Sequence, residues 1–372
     1  MTGPGLATGK IYGRQVSLEL LGRVNDQLAK TGIVGRIERV DIAKTGAVEV
    51  QLLTDKGRKW VAPGDDDSIE LNISDDCRIP YSACLHDRAP GAPFSILAYR
   101  PARRLVVREG RDAGSVVIKA YREGRGETAA EKFRLAAAAF ENSPIIAPGS
   151  VGFSSLHDCI EMPFLEGGRV QVVAHRADDF KSLGYGIHDL QKLEADELLL
   201  SEFTRADELA VLDERVRRMG LVNGIVPHGW ARLRQGLHRA AEQIPPAAPV
   251  TTHRDLHDGQ LLLTSEGLAL LDFDLMCRAE PELDAANFLA HLALRGLQSP
   301  DSTSEKDVHA CGKKFLDGLD AYEREGFWER LRFYQATSFS RLALVYSLRP
   351  DWTFIVSGLV RLGHRCLDEF QH

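Results

Sequence analysis

Short apolar runs broken by turn residues fill the first third of the chain, and longer segments with apolar residues at helical spacing fill the last half. Ser95–Tyr99, Leu105–Arg108 and Val116–Tyr121 read as three strands. They are joined by the turns Arg100-Pro101-Ala102-Arg103-Arg104 and Arg111-Asp112-Ala113-Gly114. A helix rich in Ala, Leu and Glu follows from Glu127 to about Phe140. Beyond it the spacing predicts helices over Tyr185–Leu193, Glu202–Met219 and His228–Gln243, the last stopped by Ile244-Pro245-Pro246. More helices are expected from Asp284 onward and over residues 304–325, 327–347 and 351–370. At the start of the chain, a helix near Val16–Lys30 precedes strand-like runs at Ile33–Ile42, Val48–Leu53 and Lys59–Ala62, with Thr54-Asp55-Lys56-Gly57 as a hairpin turn. Strands first and helices later predict an α+β fold.

One stretch interrupts the helical second half. Leu261-Leu262-Leu263-Thr264 and Leu268-Ala269-Leu270-Leu271 are short apolar runs separated by Ser265-Glu266-Gly267, where Gly can take a left-handed backbone. Folded into a hairpin, their outer ends meet. Gln260 then lies close to Asp272, and Asp255 is one loop away. The flanking sequences are His253-Arg254-Asp255-Leu256-His257-Asp258-Gly259-Gln260 and Leu271-Asp272-Phe273-Asp274. Together they supply a potential base and two potential oxygen ligands for magnesium, the set that phosphoryl transfer from ATP needs.

Composition narrows the classes. The chain has 372 residues, 44% hydrophobic and 27% charged, enough for two or three domains. A net charge of -7 argues against a nucleic-acid binder. The six cysteines form no CxxC and no dense framework, which fits reduced thiols in a cytoplasmic protein. No signal-like apolar region follows Met1-Thr2-Gly3-Pro4-Gly5, and no apolar stretch is long enough for a bilayer span. His253 and His257 lack the HExxH context of a zinc site, and there is no GxSxG elbow. Asp65-Asp66-Asp67 and Asp75-Asp76 read as acidic surface loops without EF-hand spacing.

The run from His253 to Asp274 resembles the catalytic and metal loops of the aminoglycoside phosphotransferase family, within the protein-kinase-like superfamily of small-molecule kinases. The resemblance covers roughly residues 94–370. It implies a two-lobed kinase-like fold, with a small antiparallel-sheet N-lobe, a mainly helical C-lobe, and ATP and magnesium between them. The corresponding division is 1–92 as an N-terminal extension or cap, 93–167 as N-lobe and hinge, and 168–372 as C-lobe. Asp255 then falls on the catalytic base, and Gln260 and Asp272 on the metal ligands. Asp284 matches an Asp that braces the catalytic loop. His257 and Asp258 would face the acceptor, and His253 would orient the loop. Val117-Ile118-Lys119 is similar to the third-strand lysine motif, making Lys119 a phosphate ligand with Glu131, or alternatively Glu127, as its acidic partner. Cys159–Gly167 resembles the hinge, where Met162, Pro163 and Leu165 would line the adenine site. Because Pro163 has no N–H, the usable frame is Pro163 C=O with Leu165 N–H.

Three departures stand out. Gln260 occupies a position where most members carry Asn, a pattern that also resembles H-x-D-x-H-x-G-Q of some sugar kinases. Asp274 replaces the third residue of DFG, with a loop-capping role preferred over metal binding. No glycine-rich phosphate loop separates the first two strands; Arg103 and the basic turn around it stand in its place. The resemblance implies an ATP- and magnesium-dependent phosphotransferase acting on a hydroxyl of a small molecule. A sugar kinase of the same superfamily and a nucleotide-binding pseudokinase or scaffold are the alternatives.

Overall fold

The computed structural model describes residues 14–30, 34–63, 68–86, 93–112, 114–149, 151–194, 199–222, 224, 226–320 and 324–368. The Asp65–Asp67 loop lies outside them. Helix α1 (Arg14–Lys30) precedes an antiparallel sheet of β1 (Arg36–Ile42), β2 (Val48–Thr54), β3 (Gly57–Pro63) and β4 (Ser68–Glu70), in that order. A 3-10 helix at Pro80–Leu85 leads to a second sheet, built on β5 (Phe94–Arg100), β6 (Arg104–Arg111) and β7 (Gly114–Tyr121). Helix α2 (Gly126–Ala139) and the two-residue strand β8 (Ile145–Ile146) follow. Strands β9 (Gly152–Ser154) and β10 (Cys159–Pro163) then return to complete the sheet in the order β5-β6-β7-β10-β9, all antiparallel.

The rest is mainly helical. After β11 (Gly168–Arg169) come α3 (Ala177–Gln191), α4 (Arg205–Leu221) and α5 (Trp230–Gln243). Strand β12 (Val250–Thr252), the hairpin β13 (Leu261–Leu263)–β14 (Leu268–Leu270), and β15 (Cys277–Ala279) follow. Helices α6 (Glu282–Gln298), α7 (Glu305–Leu319), α8 (Phe327–Tyr346) and α9 (Val356–Asp368) close the chain. Helix α4 starts where its capping chemistry dictates: Thr204 and Asp207 satisfy each other's backbone N–H groups, so the helix begins at Arg205 rather than at Glu202. Residues 350–355 form a 3-10 turn, so the last helix starts at Val356.

The expected α+β class and two-part kinase-like architecture are present: an antiparallel-sheet region and a helical region. Between them the hairpin sheet has the order β11-β13-β14-β8, with β8 parallel to β14. Gly167 lets β11 reach that hairpin, because a Cβ there would lie 2.8 Å from the Leu263 carbonyl oxygen. Gly267 supplies the φ of +136° that closes the β13–β14 turn.

In the second sheet, β5 is largely exposed, whereas β6 and β7 bury an apolar face. Leu105, Val107, Ile118 and Ala120 pack beneath Trp60, Ile79 and Tyr81. The opposite face carries Arg104, Lys119 and Tyr121. Register explains this: the short turn after Arg111 pairs Arg111 with Gly114, hence Arg104 with Tyr121 and Val106 with Lys119. The first sheet is tied to both regions. Trp60 Nε1–H donates to the Tyr99 carbonyl at 3.0 Å, and the Asp76 carboxylate accepts from Tyr99 Oη at 3.0 Å and Ala102 N–H at 2.7 Å. On the helical side, Val40 N–H donates to the Leu348 carbonyl at 3.0 Å, and Arg36 pairs with Asp351.

Candidate active site

Hairpin geometry brings the two sequence motifs together. Leu271 N–H donates to the Gln260 carbonyl at 2.9 Å, so the ladder continues to the mouth of the hairpin, where Gln260 and Asp272 begin their respective loops. Asp272 takes a left-handed backbone, φ 64°. Phe273 is fully buried, edge-on to Phe133 of α2 at 5.4 Å and to His253 at 5.2 Å. This aromatic contact locks the acidic loop to α2 and to the loop before Asp255.

That second loop is braced by α6. The Asp284 carboxylate accepts the N–H groups of His253 and Arg254, each at 2.7 Å. Burial pushes the Asp284 carboxyl up, and His253 together with the two N–H donors opposes this. Asn287 Nδ2 donates to the Leu256 carbonyl at 3.0 Å. His253 Nε2 lies 2.9 Å from the Leu271 carbonyl and Nδ1 lies 3.3 Å from Asp255 N–H. The arrangement selects the tautomer with the proton on Nε2. Arg254 takes φ 67° and stacks over Phe203 at 3.6 Å. The Asp255 side chain, flanked by all this, remains 40% exposed.

Across the cleft, Lys119 is buried and its Nζ lies 2.6 Å from Asp272 Oδ1 and 2.7 Å from Asp274 Oδ1. Arg104 Nη1 reaches the other oxygens of the same carboxylates at 3.1 and 3.3 Å, and Tyr121 Oη donates to Asp274 at 2.8 Å. Burial alone would raise the Asp272 carboxyl, but the Lys119 and Arg104 cations reverse this and hold it far below the usual carboxylate range. Asp272 is therefore an anionic oxygen donor at neutral pH.

Two expected contacts are corrected. Glu131 does not meet Lys119; it pairs with Arg134 on its own helix. Helix α2 buries Ala129, Ala130, Phe133, Ala136 and then Phe140, and Glu131 lies off that face. The helix instead sends Lys132 Nζ to the Asp274 carbonyl at 3.2 Å and sets the Phe133 ring 5.2 Å from Lys119 Nζ. Glu127 is exposed. Of the basic turn, Arg103 is exposed and Arg104 enters the cleft. Strand alternation from the Arg111–Gly114 turn was the available signal for Arg104. Asp274, given a loop-capping preference, in fact turns its carboxylate to Lys119 beside that of Asp272.

Strand β10 pairs with β7 as far as Pro163. Phe164 N–H donates to the Ser115 carbonyl at 3.0 Å. By alternation, the carbonyl of Pro163 and the N–H of Leu165 then point away from β7. Met162 is buried and Pro163 exposed. All six cysteines are free thiols. Among the described residues, no helix is long and apolar enough to cross a membrane.

With this geometry in view, the chain can be compared with known proteins. Residues 101–328, more than half of the chain, match the phosphotransferase enzyme family, and the protein belongs to that family. Its fold is shared by an amicoumacin kinase solved in complex with AMP-PNP, Ca²⁺ and Ami: TM-score 0.56 and 13% identity, covering 79% of this chain and 95% of that one. A choline/ethanolamine kinase family protein from Mesorhizobium loti gives TM-score 0.53 and 14% identity, over 81% and 97% of the two chains. A spectinomycin phosphotransferase in complex with ADP and spectinomycin gives 0.51 and 14%, over 73% and 92%. No curated protein matches the sequence. The protein is thus a small-molecule phosphotransferase with a protein-kinase-like fold.

Proposed function

We propose that this protein transfers the γ-phosphoryl group of ATP, with magnesium, to a hydroxyl of a small molecule. The observation that carries the reading is one cleft with the exposed Asp255 on a braced loop and an Asp272–Asp274 pair facing Lys119 and Arg104. Phosphoryl transfer asks mainly for positioning and charge neutralisation. In this assignment Asp255 orients the acceptor hydroxyl and takes its proton. Lys119 and Arg104 exchange their carboxylate partners for phosphate oxygens, Arg104 in a forked geometry and Lys119 as a point charge. Asp272, with the Gln260 amide oxygen, would hold the metal; Asp274 is placed to assist. These donors are all oxygens, one of them firmly ionised, and they fit magnesium, which when bound offsets the charge of the phosphates. Pro163 C=O and Leu165 N–H take the adenine edge above Met162.

The ADP complex of the spectinomycin phosphotransferase and the AMP-PNP complex of the amicoumacin kinase support nucleotide use here. Free thiols fit a cytoplasmic setting. The same reading takes residues 1–92 as an N-terminal extension or cap, 93–167 as N-lobe and hinge, and 168–372 as C-lobe. The test is magnesium-dependent transfer of labelled phosphate from ATP to a panel of hydroxyl compounds. Tight nucleotide binding without turnover on any of them would favour a non-catalytic nucleotide binder.

A further inference from the structure

The Lys119 side chain is only 7% exposed, and a buried ammonium needs an anion beside it whatever else is bound. Helix α2 does not supply one: Glu131 pairs with Arg134, and Glu127 is exposed. The ion pairs of Lys119 run instead to Asp272 Oδ1 at 2.6 Å and Asp274 Oδ1 at 2.7 Å, both on the loop after β14. Phosphotransfer assigns Asp272 to the metal. Asp274 is then the carboxylate that can remain with the lysine.

The two carboxylates are anchored differently. Asp272 stands at the mouth of the hairpin, directly after the Leu271 N–H that bonds the Gln260 carbonyl, so it borders the other proposed metal ligand. Asp274 lies two residues on, in the 3-10 turn Phe273–Leu275, and is held from the strand-rich side. Tyr121 comes two residues after Lys119 on the same face of β7, and its Oη donates to Asp274 Oδ1 at 2.8 Å. Lys132 Nζ of α2 donates to the Asp274 carbonyl at 3.2 Å, and Phe133 packs on the intervening Phe273. Tyr121 and Lys132 thus pin Asp274 to β7 and α2. An ammonium has three N–H donors. Lys119 can turn the donor now on Asp272 to a phosphate oxygen and keep Asp274, so its exchange of carboxylates for phosphate is partial.

Building on the phosphotransferase reading above, we infer that Asp274, oriented by Tyr121, is the positioning residue of Lys119 and takes the place of a helix glutamate. Its assistance is given at the lysine rather than at the metal. One loop then carries both the metal ligand Asp272 and the anion that aims the phosphate-binding lysine. That loop is locked to α2 through Phe273, so metal ligand and lysine are set relative to each other before nucleotide enters.

The test compares full-length variants in two assays. In steady-state turnover of ATP, Asp274→Asn should lower kcat/KM for ATP at least about tenfold, the worth of a charge-assisted hydrogen bond. The magnesium concentration for half-maximal rate should move less than about twofold, because the loss is at the lysine. Tyr121→Phe removes one hydroxyl and should lower kcat/KM about two- to tenfold, again at unchanged magnesium dependence. It carries the comparison if Asp274→Asn fails to fold, and an unchanged kcat/KM there counts against the inference. Glu131→Gln should stay within about twofold of wild type. Calorimetry with ADP in EDTA takes metal out of the comparison. There the effects of Asp274→Asn and Lys119→Met on affinity should depart from additivity by at least about fivefold, since one residue acts through the other. A tenfold or larger rise in the magnesium requirement of Asp274→Asn would make Asp274 a metal ligand and overturn the inference. Additive effects in EDTA would overturn it too, as would a tenfold loss in Glu131→Gln, which would mean that α2 turns its glutamate inward when nucleotide binds. Wild-type protein that binds no ADP, with or without magnesium, would instead refute the phosphotransferase reading beneath it.

Discussion

The catalytic hairpin and the N-terminal sheet both join the strand-rich and helical regions, yet they do so in opposite ways. The hairpin region carries several polar contacts between residues close in the chain: His253 and Arg254 with Asp284, His253 with Leu271, Leu256 with Asn287, and Gln260 with Leu271. The N-terminal sheet and the segment after it make long-range polar contacts, Asp76 to Ala102 and Tyr99, Trp60 to Tyr99, and Val40 to Leu348, beside the apolar packing of Val50 and Leu52 in the main core. The loop that carries Asp255 is held by contacts close in the chain, while Lys119, Arg104 and Phe133 reach the acidic pair from far upstream. The segment after β4 acts at a distance: its Asp76 holds the β5–β6 turn, whose next residue, Arg104, reaches the acidic pair.

Breaking the local side should have the largest effect. Asp272→Ala should abolish turnover and weaken magnesium-ATP binding, whereas Asp255→Asn should lower turnover by about 10²–10⁴-fold with nucleotide affinity nearly intact. Calorimetry alongside initial rates separates them; equal loss of affinity in both would contradict the division of labour. Phe273→Ala removes the buried ring shared by α2 and the His253 loop, and should cost about 3–5 kcal/mol in chemical denaturation. A smaller change would mean that α2 is anchored elsewhere.

The basic turn sharpens the contrast. Arg104→Ala should raise the KM for ATP by roughly tenfold or more, the worth of a charge-assisted hydrogen bond, while Arg103→Ala stays within about twofold. The reverse ranking would show that the turn rearranges when nucleotide binds. On the long-range side, Asp76→Ala loses two hydrogen bonds to the same turn and should destabilise the protein by about 1–3 kcal/mol. It should also raise the KM for ATP severalfold at unchanged kcat, through Arg104. A stability loss with no shift in KM would reduce the N-terminal sheet to a structural brace. The mildest changes are at Gln260. Gln260→Asn keeps the amide oxygen, so activity should fall yet persist; Gln260→Leu should raise the magnesium requirement more than the manganese requirement. Wild-type metal dependence in the Leu variant would remove Gln260 from the metal site.

Much of the catalytic half was legible because its rules are local. A four-residue turn, Thr264–Gly267, between two apolar runs suffices to bring Gln260 and Asp272 together, and the helices from α5 onward follow their apolar spacing and stop signals. The first sheet's strands were legible for the same reason, apart from the short β4. Two-residue strands were not: β8 exists only because β14 offers it a parallel edge, and nothing in Ile145-Ile146 states that.

Three placements were decided by tertiary structure alone. Which face of α2 meets the cleft depends on the buried surface it covers, and that surface selected Phe133 and Lys132 over Glu131. Where the N-terminal sheet docks depends on contacts between residues far apart in the chain, the Val40–Leu348 hydrogen bond and the apolar face that joins Val50 and Leu52 to the main core. The contacts of His291 with His257 and of Arg295 with Asp258 join residues more than thirty positions apart. Periodicity and turn chemistry are properties of a few neighbouring residues and can be read one segment at a time. Facing, docking and side-chain contacts across long stretches of chain are properties of pairs of surfaces, and they exist only once the chain has closed on itself.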